Sequence, residues 1–66
     1  MKATINGRVH DLPDELTVGA LLKLLGSPES GVAVARNERV VRRAQYSTDR
    51  VRDGDRLEII AAVAGG

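Results

Sequence analysis

The sequence contains no cysteine, no phenylalanine and no tryptophan, and each absence removes a class of function. Without thiols there is no disulfide framework, no thiolate metal site and no cysteine nucleophile, a composition at home in the cytoplasm. Tyr46 is the sole aromatic residue. The core therefore has to be aliphatic, and stacking platforms for single-stranded nucleic acid are nearly missing. His10 is the only histidine, so a nucleophile–histidine pair or a zinc site lacks parts, and His10 reads as a strand surface residue. No carboxylate trio has metal-ligand spacing, and neither G-x-x-x-x-G-K-[ST] nor G-x-G-x-x-G occurs to cradle a phosphate. No apolar run approaches the ~20 residues of a membrane span, and Met1-Lys2-Ala3-Thr4 lacks the apolar stretch of a signal peptide. The expectation is a chain with no catalytic residue, no metal, no cofactor and no membrane segment of its own.

What is present is enough for one small core. At 66 residues a folded chain buries about 60% of its unfolded surface, which suits a single domain over 1–66 and leaves no room for a large cleft. Seven Leu, eight Val and three Ile are too many for a disordered chain. The size points to a carrier or binding module rather than a catalyst. Net charge is +1, but residues 36 to 56 hold seven Arg against four acids. Because the signs are interspersed, Arg36, Arg39, Arg42, Arg43, Arg50, Arg52 and Arg56 read as solvated surface and not as a nucleic-acid patch.

The apolar spacing orders the elements. Ala3 and Ile5 alternate with Lys2, Thr4 and Asn6, then Asn6-Gly7 precedes a second short alternating stretch to Leu12, a hairpin signal that Pro13-Asp14 closes. Val18, Leu21, Leu22 and Leu25 fall on one helical stripe, with Thr17 as N-cap and Gly26 as the left-handed residue that ends it. Two turns of helix are unstable alone, and Gly19 weakens them further, so the helix has to lie on a sheet. Val32-Ala33-Val34-Ala35 reads as a strand buried by its valines and tightly covered on its alanine side. Val40-Val41 forms a short strand after an Asn37-Glu38 turn, and Arg42 to Arg52 is irregular apart from Tyr46 and Val51. Asp53-Gly54-Asp55 is a turn with solvated acids, far short of the six to eight oxygens calcium takes. Leu57, Ile59, Ala61 and Val63 alternate into a final strand. The expected fold is α+β, ββαββ, a mixed sheet with one helix packed on one face.

The end of the chain is distinctive. Val63-Ala64-Gly65-Gly66 follows an alternating strand, and paired terminal glycines arise by chance in about one chain in 200. Residues 63–66 are expected to form a flexible tail, because glycine without Cβ can be drawn through a narrow passage and four residues reach ~13 Å. The carboxylate of Gly66, as an ordinary α-carboxyl group, is ionised at neutral pH and a poor electrophile, so acyl chemistry on it requires activation by another enzyme. The outward face of the last strand begins as Arg56 and Glu58 but continues as Ile60 and Ala62, and this apolar stretch reads as a docking patch.

These residues resemble the ThiS family of thiamine-biosynthesis sulfur carriers. The resemblance runs through Ile5-Asn6-Gly7, Thr17-Val18 with Leu21-Leu22, Val32-Ala33-Val34-Ala35-Arg36-Asn37, Val40-Val41 with Arg43, Asp53-Gly54-Asp55 with Leu57-Glu58-Ile59, and Val63-Ala64-Gly65-Gly66. It implies a ubiquitin-like β-grasp fold and a protein co-substrate rather than an enzyme. It further implies that a ThiF-like adenylating enzyme uses ATP and Mg to convert the Gly66 carboxylate to an acyl-adenylate. A persulfide donor enzyme then supplies sulfur, and the thiocarboxylate passes it to a ThiG-like thiazole synthase. On that basis Gly66 carries the sulfur, Ala64 and Gly65 thread with it into partner active sites, and Ile60, Ala62 and Val63 dock. Two alternatives share features with the chain: a MoaD-like carrier for molybdopterin synthesis, with the same terminal chemistry, and a TGS-like RNA-associated β-grasp module. The length and the Val32-to-Asn37 stretch favour the first reading over MoaD, and the glycine end favours it over TGS.

Overall fold

The computed structural model of the chain describes residues 1–61. Strand β1 (Lys2–Ile5) buries Ala3 and Ile5, turns through Asn6 and Gly7 at φ 51° and 84°, and pairs antiparallel with β2 (Arg8–Asp11). Two successive left-handed residues match the twist of the flanking strands, which is why Asn-Gly suits this turn. A two-residue strand β3 (Leu16–Thr17) leads into helix α1 (Val18–Leu24). Strands β4 (Val32–Arg36) and β5 (Arg39–Val41) form a second hairpin. A 3₁₀ turn (Arg43–Gln45), β6 (Arg50–Val51) and β7 (Arg56–Ala61) complete the described chain.

The sheet order is β2-β1-β7-β4-β5, with β7 parallel to β1 and antiparallel to β4. The expected mixed sheet with one helix is therefore present, and the last strand lies at its centre. Val18, Leu21 and Leu22 on α1 are fully buried and share one cluster with Ala3, Ile5, Val34, Val41 and Leu57. Leu25, the fourth member of the helical stripe, is 37% exposed because it caps the helix beyond its last turn.

Both ends of the short helix are held by specific bonds. The Thr17 Oγ1 accepts the Ala20 N–H at 3.1 Å. Gly26, at φ 71°, donates to Lys23 O while Ser27 N–H donates to Leu22 O, the paired pattern of a glycine C-terminal cap. The first turn is finished from outside: Val18 N–H donates to Asp49 O at 2.9 Å and Gly19 N–H to Tyr46 O at 2.8 Å. A Cβ on Gly19 would lie 3.2 Å from that Tyr46 oxygen, so the glycine that weakens the helix is what admits the capping loop.

Three expectations need correction. The alanine side of β4 is not tightly covered, since Ala33 is exposed: α1 lies on the other face and nothing described packs there. The 42–52 stretch is more ordered than its polarity suggests. Tyr46 and Val51 are buried, and β6 pairs with β3 through Leu16 opposite Val51, although two-residue strands leave no period to read. Asp55 and Arg36 are not solvated surface residues, for reasons given below.

The β4–β5 turn repeats the geometry of the first with Asn37 at φ 53° and Glu38 at φ 69°. A glutamate in the left-handed region is strained by its Cβ, by ~1 kcal/mol. Glu38→Gly is therefore expected to raise the melting temperature by about 4 °C or more. Thermal unfolding followed by circular dichroism checks this; an unchanged or lower midpoint contradicts it.

Candidate functional site at the end of the central strand

Strand β7 carries the chain toward Gly66, and two asparagines fasten it from opposite sides. Beyond the end of β1, the Asn6 side chain substitutes for a backbone: its Oδ1 accepts the Ile59 N–H at 2.8 Å and its Nδ2 donates to Ile59 O at 3.1 Å. On the β4 side, Asn37 Oδ1 accepts the Arg56 N–H at 3.0 Å while its own N–H donates to Arg56 O at 2.7 Å. Each asparagine is the first left-handed residue of a hairpin turn, so one residue both makes the bend and extends the ladder. The sequence signals the bends; the side-chain pairing has no signature in it.

The start of β7 is pinned electrostatically. Asp55, 7% exposed, accepts hydrogen bonds from the Arg52 N–H at 2.7 Å, Asn37 Nδ2 at 3.0 Å and Arg36 at 3.2 Å. Burial pushes its pKa up, but the Arg52, Asn37 and Arg36 contacts outweigh that and hold it below the ordinary aspartate value. Arg36 also reaches Asp49 at 3.0 Å, and that hydrogen bond, ahead of the one to Asp55, raises the guanidinium pKa against its partial burial. The cluster ties the β4–β5 turn to the segment before β7. It is structural, and it accounts for one arginine and two acids of the basic stretch.

Along β7, Leu57 and Ile59 face the helix while Arg56, Glu58 and Ile60 alternate outward. Ile60 is 64% exposed, the position the docking reading needs. Its neighbour in β4 is the exposed Ala33, and the next row runs from the exposed Glu58 through Ala35 to Val40, which is 77% exposed on β5. Sequence reading singled out Ile60 as outward-facing but did not single out Ala33 or Val40, which the structure also leaves exposed. In Val40-Val41 one valine has to face outward, yet which strand lies beside it is set by register. Ala62, Val63, Ala64, Gly65 and Gly66 lie outside the described residues. Among the described residues, no three or more His, Cys, Asp or Glu gather as for a metal ion, and no helix is long and apolar enough to cross a membrane. His10 is half-buried in β2 opposite Ala3.

The model of the ThiS family matches residues 3–66. The chain belongs to the ThiS family. This ThiS-family chain is 38% identical to the sulfur carrier protein ThiS of Escherichia coli, with all of both chains covered. It is also 44% identical to a thiazole synthase of Paramagnetospirillum magneticum over all of this chain and 20% of that protein. It thus spans about one fifth of the length of the thiazole synthases it matches. A crystal structure of the thiamine biosynthesis protein ThiS from Geobacter metallireducens superposes with a TM-score of 0.87 at 30% identity, covering both chains fully. That likeness establishes the ubiquitin-like β-grasp fold for this sheet and helix.

The patch carries a testable consequence. Ile60→Asp is expected to weaken partner binding at least tenfold and to move the melting temperature by less than about 3 °C, because the side chain is already in water. Calorimetric binding and thermal unfolding of the same sample measure both. A large stability loss would show that Ile60 supports the core.

Proposed function

We propose that this ThiS-family sulfur carrier of thiamine biosynthesis holds its cargo on the α-carboxylate of Gly66. The observation that carries the reading is the end-to-end alignment with the E. coli sulfur carrier, in which Gly66 falls within the matched span. The chain itself offers no activating group there. An ionised carboxylate has to be made electrophilic, and an adenylating enzyme does so: a Gly66 oxygen attacks the α-phosphorus of Mg-ATP and pyrophosphate leaves. A persulfide sulfur from a donor enzyme then attacks the acyl carbon and displaces AMP. A second thiol cleaves the acyl disulfide, leaving a thiocarboxylate on Gly66 and a disulfide between the donor and that thiol. On this reading the carrier works in the cytoplasm, where ATP is available to the adenylating enzyme.

Sulfur then passes to a thiazole synthase. The support is that the thiazole synthase of P. magneticum contains a stretch matching this entire chain. Ala64 and Gly65 accompany Gly66 into each partner's active site, where residues with little or no side chain fit a narrow channel. Ile60, Ala62 and Val63 dock the strand end. The matches to the ThiS family and to the E. coli sulfur carrier protein ThiS support the thiazole pathway over the molybdopterin alternative.

The test is the intact mass of the protein after incubation with its adenylating enzyme, ATP and a persulfide donor. A gain of about 16 Da, oxygen replaced by sulfur, is expected and requires ATP. No gain under conditions that load the E. coli carrier would sink the reading.

A further inference from the structure

Asn6 and Asn37 hold equivalent places in the two hairpin turns and each fastens β7, yet their surroundings give them different chemistry. Asn6 is exposed, and the residue after it is Gly7. A Cβ built on Gly7 would meet nothing within 4 Å, so the Gly7 nitrogen has open space around it and no side chain to shield it. Asn37 is half-buried, and its Nδ2 donates to Asp55 at 3.0 Å. Glu38 follows it, with a Cβ that crowds its own nitrogen and a carboxylate that opposes deprotonation there. On the β1 side of β7 the backbone ladder ends with the Asn6 N–H donating to Leu57 O at 2.9 Å, and the next rung, at Ile59, is the Asn6 side chain. An amide supplies both the donor and the acceptor that this rung needs; a carboxylate supplies acceptors alone.

We propose that Asn6 is a site of spontaneous deamidation, with the Gly7 nitrogen as nucleophile and water as co-reactant, and that its conversion unfastens β7 at Ile59. Hydroxide removes the Gly7 N–H proton, and the nitrogen attacks Asn6 Cγ. The N–Cγ bond forms, the Cγ–Nδ2 bond breaks, and Nδ2 leaves as ammonia with a proton taken back from water. Water then opens the five-membered imide. Opening at Cγ leaves an aspartate at position 6, and opening at the main-chain carbonyl leaves an isoaspartate whose backbone runs through the side chain. Either product is heavier by about 1 Da, NH having been exchanged for O. The aspartate turns a second oxygen toward Ile59 O, lone pair against lone pair, and the isoaspartate adds a methylene that displaces the turn. The rung also guards the site: Cγ has to leave Ile59 to reach the Gly7 nitrogen, so both hydrogen bonds break before the ring closes. None of these steps involves Gly66, so they stand apart from the carrier chemistry.

The experiment incubates the full chain at neutral and at mildly alkaline pH, with and without denaturing urea, and follows it by intact mass and peptide mapping. The gain of about 1 Da is expected on the peptide that holds Asn6, as a mixture of isoaspartate and aspartate, and faster at the higher pH. Asn6 should react at least about tenfold faster than Asn37. Urea should speed the reaction at Asn6 about tenfold, because the two bonds to Ile59 no longer hold it. Glu38→Gly removes the crowding Cβ beside Asn37, and in urea it should bring the Asn37 rate to within about threefold of the Asn6 rate. Hydrogen exchange reads the strand. In the aged chain and in Asn6→Asp the Ile59 amide should exchange at least about tenfold faster than in fresh protein, while the Arg56 amide, held by Asn37, changes less than about twofold. Asn6→Gly keeps a residue suited to the left-handed turn and deletes both bonds, so it should match the faster exchange at Ile59 without loss of the turn.

A mass gain shared equally with Asn37, or none at Asn6 even in urea, overturns the proposal. So does aspartate as the only product, which would mean direct hydrolysis without the Gly7 nitrogen, and so does a native rate equal to the rate in urea. Fresh-protein exchange at Ile59 in the aged chain and in both Asn6 variants would show that the side-chain rung does not fasten β7, and would overturn it equally.

Discussion

Removing Gly66, or adding a single alanine after it, is expected to abolish ATP-dependent loading, with a fall of at least 100-fold in the rate of pyrophosphate release. The expectation follows from what adenylation needs: a carboxylate oxygen placed in line with the α-phosphorus, where a misplacement of about 1 Å costs ~100-fold. Deletion moves the reactive group back by ~3.5 Å and ends the chain on Gly65; the extension moves it outward and puts a methyl group into a passage that glycine fits. Neither change touches the cluster formed by Val18, Leu21, Leu22, Val34 and Leu57, so the melting temperature should stay within about 2 °C. Pyrophosphate release and thermal unfolding on the same preparations separate the two effects. Normal charging of the extended chain would mean that the terminal carboxylate is not the group activated.

Asp55→Ala is expected to be the most damaging substitution outside the apolar core. It removes the acceptor for the Arg52 N–H, for Asn37 and for one arm of Arg36, and strands those donors in a half-buried site. Bonds to a charged acceptor contribute about 1.5–3 kcal/mol each and are not additive, so the loss should be ~3 kcal/mol. A chain of this size has only about 3–10 kcal/mol in total, and the midpoint should fall by about 15 °C. The same residue sets an acid dependence. Because its folded pKa lies below the ordinary value of 3.8, the unfolded state takes up a proton first as pH falls. The stability it adds is complete above about pH 5 and is lost as pH drops through the lowered value. Asp55→Asn should accordingly flatten the acid limb of stability against pH. An unchanged acid limb in Asp55→Asn would place the titrating group elsewhere.

The difference between what was and was not readable in the sequence has a physical pattern. Thr17, Gly26 and Asn6-Gly7 act within a few residues of themselves, and their roles as cap, helix end and turn were legible because local backbone geometry dictates them. The helical stripe was legible because a short helix has one way to bury Val18, Leu21 and Leu22. Asp55 was misjudged because its burial depends on Arg36, nineteen residues away, and its Asp-Gly-Asp setting looks like any exposed turn. Ala33 and Val40 were not singled out for the related reason that a patch spanning three strands exists only once register is fixed. For the site, one strand was enough to find Ile60, but the extent of the apolar ground around it was not linear in the chain. Gly66 stood out by chemistry alone, as the end of a strand that runs into residues without bulk.

The measurement that bears most directly on the carrier reading is top-down fragmentation of the loaded protein. Fragments from the carboxyl end that include Gly66 should carry the whole gain of about 16 Da, and every fragment from the amino end that stops before it should keep its unmodified mass. Sulfur found on any other residue, or a loaded species whose last residue is unchanged, would contradict the account.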